Sequence, residues 1–133
     1  WGADDTVITD VSGRSPKNKS TPRNLLKIST KILENPTIKS ALAKSSFSFK
    51  SSAAKHTVTS PTHSVPAGIN NYKIQPSKTG STDEAGTVTM MLVESIKTKK
   101  QYTIITMGGK GKDQEAGKMA KWIASGDVKI TSK

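Results

Sequence analysis

The sequence predicts an α+β fold, in which a three-stranded antiparallel sheet carries a carboxy-terminal helix on one face and the amino-terminal half contributes a pair of helices. Three observations lead to this prediction. Two proline-initiated segments place apolar residues at helical spacing within residues 22–42. Three segments within residues 72–107 alternate between apolar and polar residues. A last segment with an apolar stripe follows a Gly-Gly pair.

The two amino-terminal helices are predicted from their starts. Ser20 or Thr21 can cap a helix over residues 22–34, because a proline in the first turn loses no helical hydrogen bond there. Asn35 followed by Pro36 repeats this signal and predicts a second, short helix that runs through residue 42. The two helices should meet at an angle.

Residues 45–71 are predicted to hold one short strand and a long loop. Phe47 and Phe49 alternate with serines over residues 45–49, which is typical of a strand with one apolar face. Residues 51–71 show no sustained apolar period and are rich in Ser, Thr, Ala and Pro, so a loop is expected. The loop can be a linker or an ordered border of an active site.

The sheet and the last helix are predicted from the remaining third of the chain. Strands are expected over residues 72–78, 87–96 and 102–107, and the short charged turn 97–100 should join the last two as an antiparallel hairpin. Asp113 can cap the final helix, which Ser125-Gly126 should end. Its apolar stripe consists of Ala116, Met119, Ala120 and Ile123. The whole chain then forms one partial domain, divided into a helical part (1–50), a loop (51–71), the sheet with its helix (72–126) and a tail (127–133).

Composition limits the possible chemistry. The net charge of +11 favours an anionic environment, such as nucleic acid, acidic lipid or an anionic wall polymer. Without cysteine the chain has no disulfide, no thiolate metal cluster and no cysteine nucleophile. His56 and His63 lack neighbouring carboxylates, so neither a metal site nor any other cofactor is expected. The chain begins at Trp1 without an apolar leader, and we expect it to be a fragment or a processed piece.

The motif with the clearest chemistry is Lys78-Thr79-Gly80 at the end of the first predicted sheet strand. A fixed ammonium and a hydroxyl can together hold a carboxylate, so both side chains are expected on the cleft-facing side of the strand. Gly80 lacks a β-carbon, which would let a substrate backbone lie along the strand. The backbone N–H of Ser81 could then be one donor of an oxyanion hole. The simpler reading is a solvated strand-end lysine followed by an ordinary turn.

The triplet and its surroundings resemble the carboxy-terminal part of the catalytic domain of the serine-type D-alanyl-D-alanine carboxypeptidases, which are low-molecular-mass penicillin-binding proteins. The likeness extends from about residue 4 to about residue 122. The residues that carry it are Asp5-Thr6, Ser12-Gly13, Ser20 to Leu26, Asn35-Pro36, Ser45 to Phe49, Lys78 to Thr82, Glu84 to Gly86, Met107 to Gly109, Glu115-Ala116 and Trp122. Arg14 departs from the family, which usually has Leu after Ser-Gly.

The resemblance implies a function and a set of site residues. Lys78, Thr79 and Gly80 would bind a peptidoglycan stem peptide ending in D-Ala-D-Ala, or a β-lactam antibiotic, and the Ser81 N–H would polarise its carbonyl. Lys112 would help to hold the substrate carboxylate. The implied location is the bacterial cell envelope, outside the cytoplasm. Nucleic acid is not expected as a partner, and membrane contact is expected only through parts of the full protein outside this chain.

The nucleophile and the general base of that family should also lie outside this chain, in an upstream Ser-x-x-Lys helix. Ser52 to Lys55 has the same spacing, but serine and lysine are so common here that roughly two such pairs are expected by composition, and this one falls in the predicted loop. We therefore reject Ser52 as a nucleophile and expect the isolated chain to be inactive. The alternatives are a serine β-lactamase of the same fold and a non-catalytic basic module that binds an anionic polymer.

Overall fold

The computed structural model describes residues 1–60, 69–110 and 114–126. Its elements run α1 (Pro22–Leu33), α2 (Pro36–Leu42), β1 (Ser46–Lys50), β2 (Lys55–Thr59), β3 (Tyr72–Thr82), β4 (Gly86–Ser95), β5 (Gln101–Gly109) and α3 (Gln114–Ser125). Strands β3, β4 and β5 form an antiparallel sheet in that order. The predicted fold class is confirmed, with its three-stranded sheet, carboxy-terminal helix and amino-terminal helical pair.

Both amino-terminal helices begin where the proline signals predict. Thr21 is the cap of α1, since its hydroxyl accepts a hydrogen bond from the backbone N–H of Asn24 at 3.2 Å. Asn35 caps α2 through its side-chain oxygen, which accepts from the N–H groups of Thr37 and Ile38. Helix α1 contacts β5 and helix α2 contacts β3, so the helical pair rests against the outer strands of the sheet.

The core lies between the sheet and α3. Met91 and Val93 of β4 and Ile104 of β5 are almost fully buried, and Ala116, Ala120 and Ile123 of α3 pack on them. These residues confirm most of the predicted apolar stripe of α3. Met119 differs, because its side chain is 39% exposed and lies outside the core. The predicted cap Asp113 lies outside the described residues.

Strand β3 contains a bulge just before the Lys-Thr-Gly motif. Ile74 pairs with Val93 and Ser77 pairs with Met91, so that Gln75 and Pro76 together oppose a single residue of β4. Pro76 is fully buried at this point. Proline is accepted inside a sheet at such bulges because it has no N–H to donate to the ladder. The bulge therefore separates two stretches of regular pairing.

Residues 51–71, predicted to be a loop without regular structure, contain strand β2, and this part of the prediction is wrong. Strands β1 and β2 form a separate antiparallel hairpin, in which Phe47 pairs with Val58 and Phe49 pairs with His56. The hydroxyls of Ser48 and Thr57 lie on its other face, 2.8 Å apart. We call the side chains of Phe47, Phe49, His56 and Val58 the hairpin face.

A polar turn precedes α1 and is organised by Asp10. Its carboxylate accepts hydrogen bonds from the backbone N–H groups of Ser12 and Arg14 and from the Ser12 hydroxyl, at 2.7–3.1 Å. These hydrogen bonds to the charged form lower the pKa of Asp10 to about 2. Beyond the turn, Val7 and Lys19 pair as an isolated antiparallel bridge that closes the loop. Among the described residues, no helix combines the length and the apolarity that a membrane crossing requires.

Candidate functional site

The Lys-Thr-Gly motif lies within β3, in extended and paired backbone. The strand continues to Thr82, four residues beyond its predicted end. Lys78 pairs with Met90, Thr79 with Thr89 and Gly80 with Val88 of β4. Within the described part of the chain the other edge of β3 has no partner strand, because β3 is the outer strand of the sheet. The backbone groups on that edge can therefore receive an extended peptide as an additional strand.

Lys78 is exposed, and its side chain lies on the face of the sheet opposite α3. Its Nζ donates to the backbone carbonyl of Thr79. The ion pairs found among the described residues join Lys31 to Glu34 and Lys73 to Glu94, so no described carboxylate neutralises Lys78. Its ammonium is thus a positive charge at the strand edge that an incoming carboxylate can reach.

Thr79 lies on the other face. Its hydroxyl is 2.8 Å from the hydroxyl of Thr89 and 3.3 Å from the backbone carbonyl of Val88. Thr89 is only 1% exposed and belongs to the side of β4 that packs toward α3. Because neighbouring residues of an extended strand point to opposite faces, Lys78 and Thr79 do not share one side of β3, contrary to the expectation from the sequence. The Thr79 hydroxyl links β3 to β4 in this arrangement.

Thr89 is a residue that the sequence analysis missed. Its buried hydroxyl faces Thr79 across the strand pair. The signal available in the sequence was a threonine on the same side of the second sheet strand as Met91 and Val93. Reading it would have required the register of β3 against β4, which depends on the bulge in β3.

Gly80 is a glycine that the fold itself does not require. It is exposed, its φ is not positive, and a β-carbon built there would have no other atom within 4 Å. Gly86 contrasts with it, because its φ is +62° and a β-carbon there would come within 2.9 Å of the Gly109 carbonyl oxygen. The fold therefore explains Gly86, whereas the open space above Gly80 remains available to a ligand backbone.

Ser81 and Thr82 are the last two residues of β3. Ser81 pairs with Thr87, and its exposed side chain lies 3.5 Å from the Thr87 hydroxyl. Gly86 then begins β4 after the short turn that follows Thr82, whose hydroxyl accepts from the N–H of Ala85 at 3.1 Å. This tight turn fixes the end of β3 and with it the backbone at Ser81.

Lys110, which directly follows β5, lies at this end of the sheet, since Gly109 pairs with Thr87. Lys110 is exposed and stands directly after the strand. Gly109 lies close to the carboxylate of Glu115, because a β-carbon added to the glycine would be 2.9 Å from Glu115 Oε2. Lys112, the predicted carboxylate-binding residue, lies outside the described residues.

The Ser52 to Lys55 segment does not form a helix. Ser51 and Ala54 close the turn between β1 and β2 through a 2.9 Å backbone hydrogen bond, and Lys55 begins β2. The helical spacing that could place the Ser52 hydroxyl beside the lysine is absent, which agrees with rejecting Ser52 as a nucleophile. His56 accepts or donates a 2.8 Å hydrogen bond with the Ser51 hydroxyl through Nε2. Within the described ranges no cluster of His, Asp and Glu suits a metal ion.

A polar network occupies the same face as Lys78, at the far end of the sheet. Glu94 forms an ion pair with Lys73 at 3.0 Å and accepts a 2.7 Å hydrogen bond from Gln101. The hydrogen bond from Gln101, followed by the hydrogen bond and the charge of Lys73, lowers the pKa of Glu94. The network pairs one residue from each of the three strands, so it aligns the strands far from the motif.

A shallow cavity of about 450 Å³ also lies at that far end. It is bordered by the start of β3, the turn between β4 and β5, and Ala124 of α3. The cavity therefore lies at the opposite end of β3 from the Lys-Thr-Gly motif. The cavity does not belong to the candidate site, which is a strand edge rather than an enclosed pocket.

Comparisons with known proteins bear on the fold. The chain matches no known family profile and no curated protein sequence. Among solved structures it is similar to a D-alanyl-D-alanine carboxypeptidase from Mycobacterium tuberculosis H37Rv, with a TM-score of 0.72 and 22% sequence identity. The match covers 94% of this chain and 48% of that chain, so the protein spans about half the length of its structural neighbour. The described helices and sheet thus have the fold of part of a D-alanyl-D-alanine carboxypeptidase.

Proposed function

We propose that this chain is the substrate-binding part of a serine-type D-Ala-D-Ala carboxypeptidase, which trims peptidoglycan stem peptides through an acyl-enzyme and also binds penicillin. The observation that carries the proposal is Gly80, a glycine in an open strand edge where neither backbone conformation nor packing requires one. The similarity of fold to a carboxypeptidase supports the same class of activity.

In this proposal the substrate lies antiparallel or parallel along the free edge of β3. Its backbone forms main-chain hydrogen bonds with the strand, and the absence of a side chain at Gly80 permits that close approach. Lys78 binds the carboxylate of the terminal D-Ala, because its ammonium is exposed and has no described carboxylate partner. The Ser81 N–H polarises the scissile carbonyl as one of two donors.

Thr79 has a supporting role in this proposal. Its hydroxyl bonds to Thr89 and so holds β3 against β4 directly beside Lys78. The nucleophilic serine and its lysine base are supplied by sequence outside this chain, and the chain alone does not hydrolyse peptide. The full protein works in the bacterial cell envelope with the wall stem peptide as its partner, and Lys112 contributes to holding the substrate carboxylate.

The proposal is tested by titrating the isotopically labelled chain with an N-acylated peptide ending in D-Ala-D-Ala and following backbone amide shifts. Shifts are expected at Gly80 and Ser81. The Lys78→Met variant should bind about 10- to 150-fold more weakly, since a hydrogen bond to a charged group contributes about 1.5–3 kcal/mol. Lys97→Met is the matched control, because that lysine is equally exposed but lies in the turn between β4 and β5.

Two outcomes would contradict the proposal. The first is equal affinity for peptides ending in L-Ala-L-Ala and in D-Ala-D-Ala. The second is an equal effect of the Lys78 and Lys97 substitutions, which would indicate a general attraction of a chain with a net charge of +11 for anions. With the full-length protein, a long-lived penicillin adduct supports a carboxypeptidase, whereas rapid turnover of the antibiotic would assign it to the serine β-lactamases.

A further inference from the structure

The hairpin face is an apolar surface that the described residues leave uncovered. Phe47 is 53% exposed, Phe49 44% and Val58 60%, and none of them belongs to the core cluster. The rings form a continuous strip, with 6.1 Å between the centroids of Phe47 and Phe49 and 5.0 Å between those of Phe49 and His56. A two-stranded hairpin is only marginally stable by itself, so contact with a further surface would stabilise it.

Positive charge borders this strip at both ends. The Nζ of Lys44 lies 5.4 Å from the centre of the Phe47 ring, and Lys50 pairs with Lys55 at the other end of the hairpin. All three lysines are exposed. The sequence between residues 35 and 82 contains six lysines and no acidic residue. The partner of the hairpin face should therefore be apolar and negatively charged at its border.

The polar groups of the hairpin indicate which kind of anionic partner the hairpin face can bind. Recognition of sugar hydroxyls in a wall polymer requires directional donors and acceptors, but this face carries only hydrocarbon and a histidine whose Nε2 already bonds to Ser51. The hydroxyls of Ser48 and Thr57 lie on the opposite face and bond to each other. A second copy of the chain would bring two sets of lysines together, which is unfavourable.

We propose that the hairpin face docks on the surface of an anionic lipid bilayer. Phe47, Phe49 and Val58 enter the boundary between headgroups and acyl chains, while the bordering lysines reach the lipid phosphates. This inference does not depend on the proposed peptidase activity. It departs from the expectation that membrane contact lies only outside this chain.

The test is sedimentation of the whole chain with vesicles of phosphatidylglycerol and phosphatidylcholine, compared with vesicles of phosphatidylcholine alone. Binding is expected to the anionic vesicles only. The Lys50→Gln/Lys55→Gln variant should bind roughly thirtyfold more weakly, as follows from the contribution of each lysine near a charged membrane surface. Lys97→Gln/Lys100→Gln removes the same charge from the turn between β4 and β5 and should bind about as well as the unchanged protein.

The apolar contribution is tested with Phe47→Thr/Phe49→Thr, which should abolish sedimentation, and circular dichroism should show an unchanged fold. Because the chain has no cysteine, a single environment-sensitive fluorophore can be attached at Val58→Cys and, as a control, at Val11→Cys. Vesicles should shift the emission of the first and leave the second unchanged. Equal emission changes at both sites, equal binding to neutral vesicles, or a dimer that the phenylalanine substitutions dissociate would overturn the proposal.

Discussion

Three glycines allow the candidate site to be tested separately from the fold. At Gly80 the backbone φ is not positive, and the new β-carbon of Gly80→Ala would have no other atom within 4 Å. Gly13→Ala meets positive φ (+78°) but no neighbouring atom, and Gly86→Ala meets both positive φ and a backbone oxygen at 2.9 Å. The three substitutions add the same methyl group. Gly13→Ala therefore measures backbone strain, Gly86→Ala measures strain together with crowding, and Gly80→Ala measures ligand access.

The expected effects on stability follow from those geometries. Gly80→Ala should raise the free energy of unfolding by about 0.4–1 kcal/mol, because alanine reduces the freedom of the unfolded chain. Gly13→Ala should lower it by about 1–2 kcal/mol through the left-handed backbone conformation. Gly86→Ala adds to that strain the overlap with Gly109, which costs a further 1–3 kcal/mol or about 2–5 kcal/mol in all.

Urea denaturation followed by circular dichroism measures these free energies, and the peptide titration measures ligand affinity for Gly80→Ala. We expect this variant to be at least as stable as the unchanged protein and to lose about tenfold or more in affinity for the D-Ala-D-Ala peptide, since its methyl group occupies the space of the incoming backbone. Undiminished affinity would refute the role of Gly80 in ligand approach. A marked loss of stability would show instead that the fold requires this glycine.

Two further predictions concern the core and the amino-terminal turn. Met91→Ala should lower the free energy of unfolding by about 2–5 kcal/mol, because Met91 is 2% exposed within the core. The exposed Met119 is the control, and Met119→Ala should lower the free energy of unfolding by less than about 1 kcal/mol. Equal losses in urea denaturation would contradict the packing described. The pKa of Asp10 falls from 3.8 to about 2 on folding, so the Asp10→Asn variant should be less stable than the unchanged protein above about pH 4, and this difference should disappear as the pH falls toward 2. A difference that stays constant with pH would show that the charge of Asp10 contributes nothing.

The sequence predicted those elements whose signals are local. Pro22 and Pro36 mark the starts of two helices because a proline in the first turn costs no hydrogen bond, and each follows a residue that caps the helix. The alternation over residues 87–96 predicted β4, although the face buried under α3 begins with Thr87 and Thr89 and only then continues with Met91 and Val93. Local propensity and tertiary packing agree at the starts of these two helices.

The failures concern features that depend on pairing between segments. Strand β2 contains one strongly apolar residue, Val58, so no apolar alternation marked it within a stretch rich in Ser and Thr. The partnership of Thr79 with Thr89 depends on the register of two strands. That register contains a bulge, which no periodicity in a single strand reveals.

The bulge at Gln75 and Pro76 determines which way the motif faces. Before it, Tyr72 and Ile74 contact the core beneath α3, and both have even numbers. After it, Ser77 and Thr79 pair with Met91 and Thr89 on that same side, and both have odd numbers. If the same residues paired without the bulge, strict alternation from Ile74 would turn the lysine of the motif inward and the threonine to solvent. The bulge thus accommodates one additional residue in an edge strand and keeps the charged group on the solvent side of the sheet.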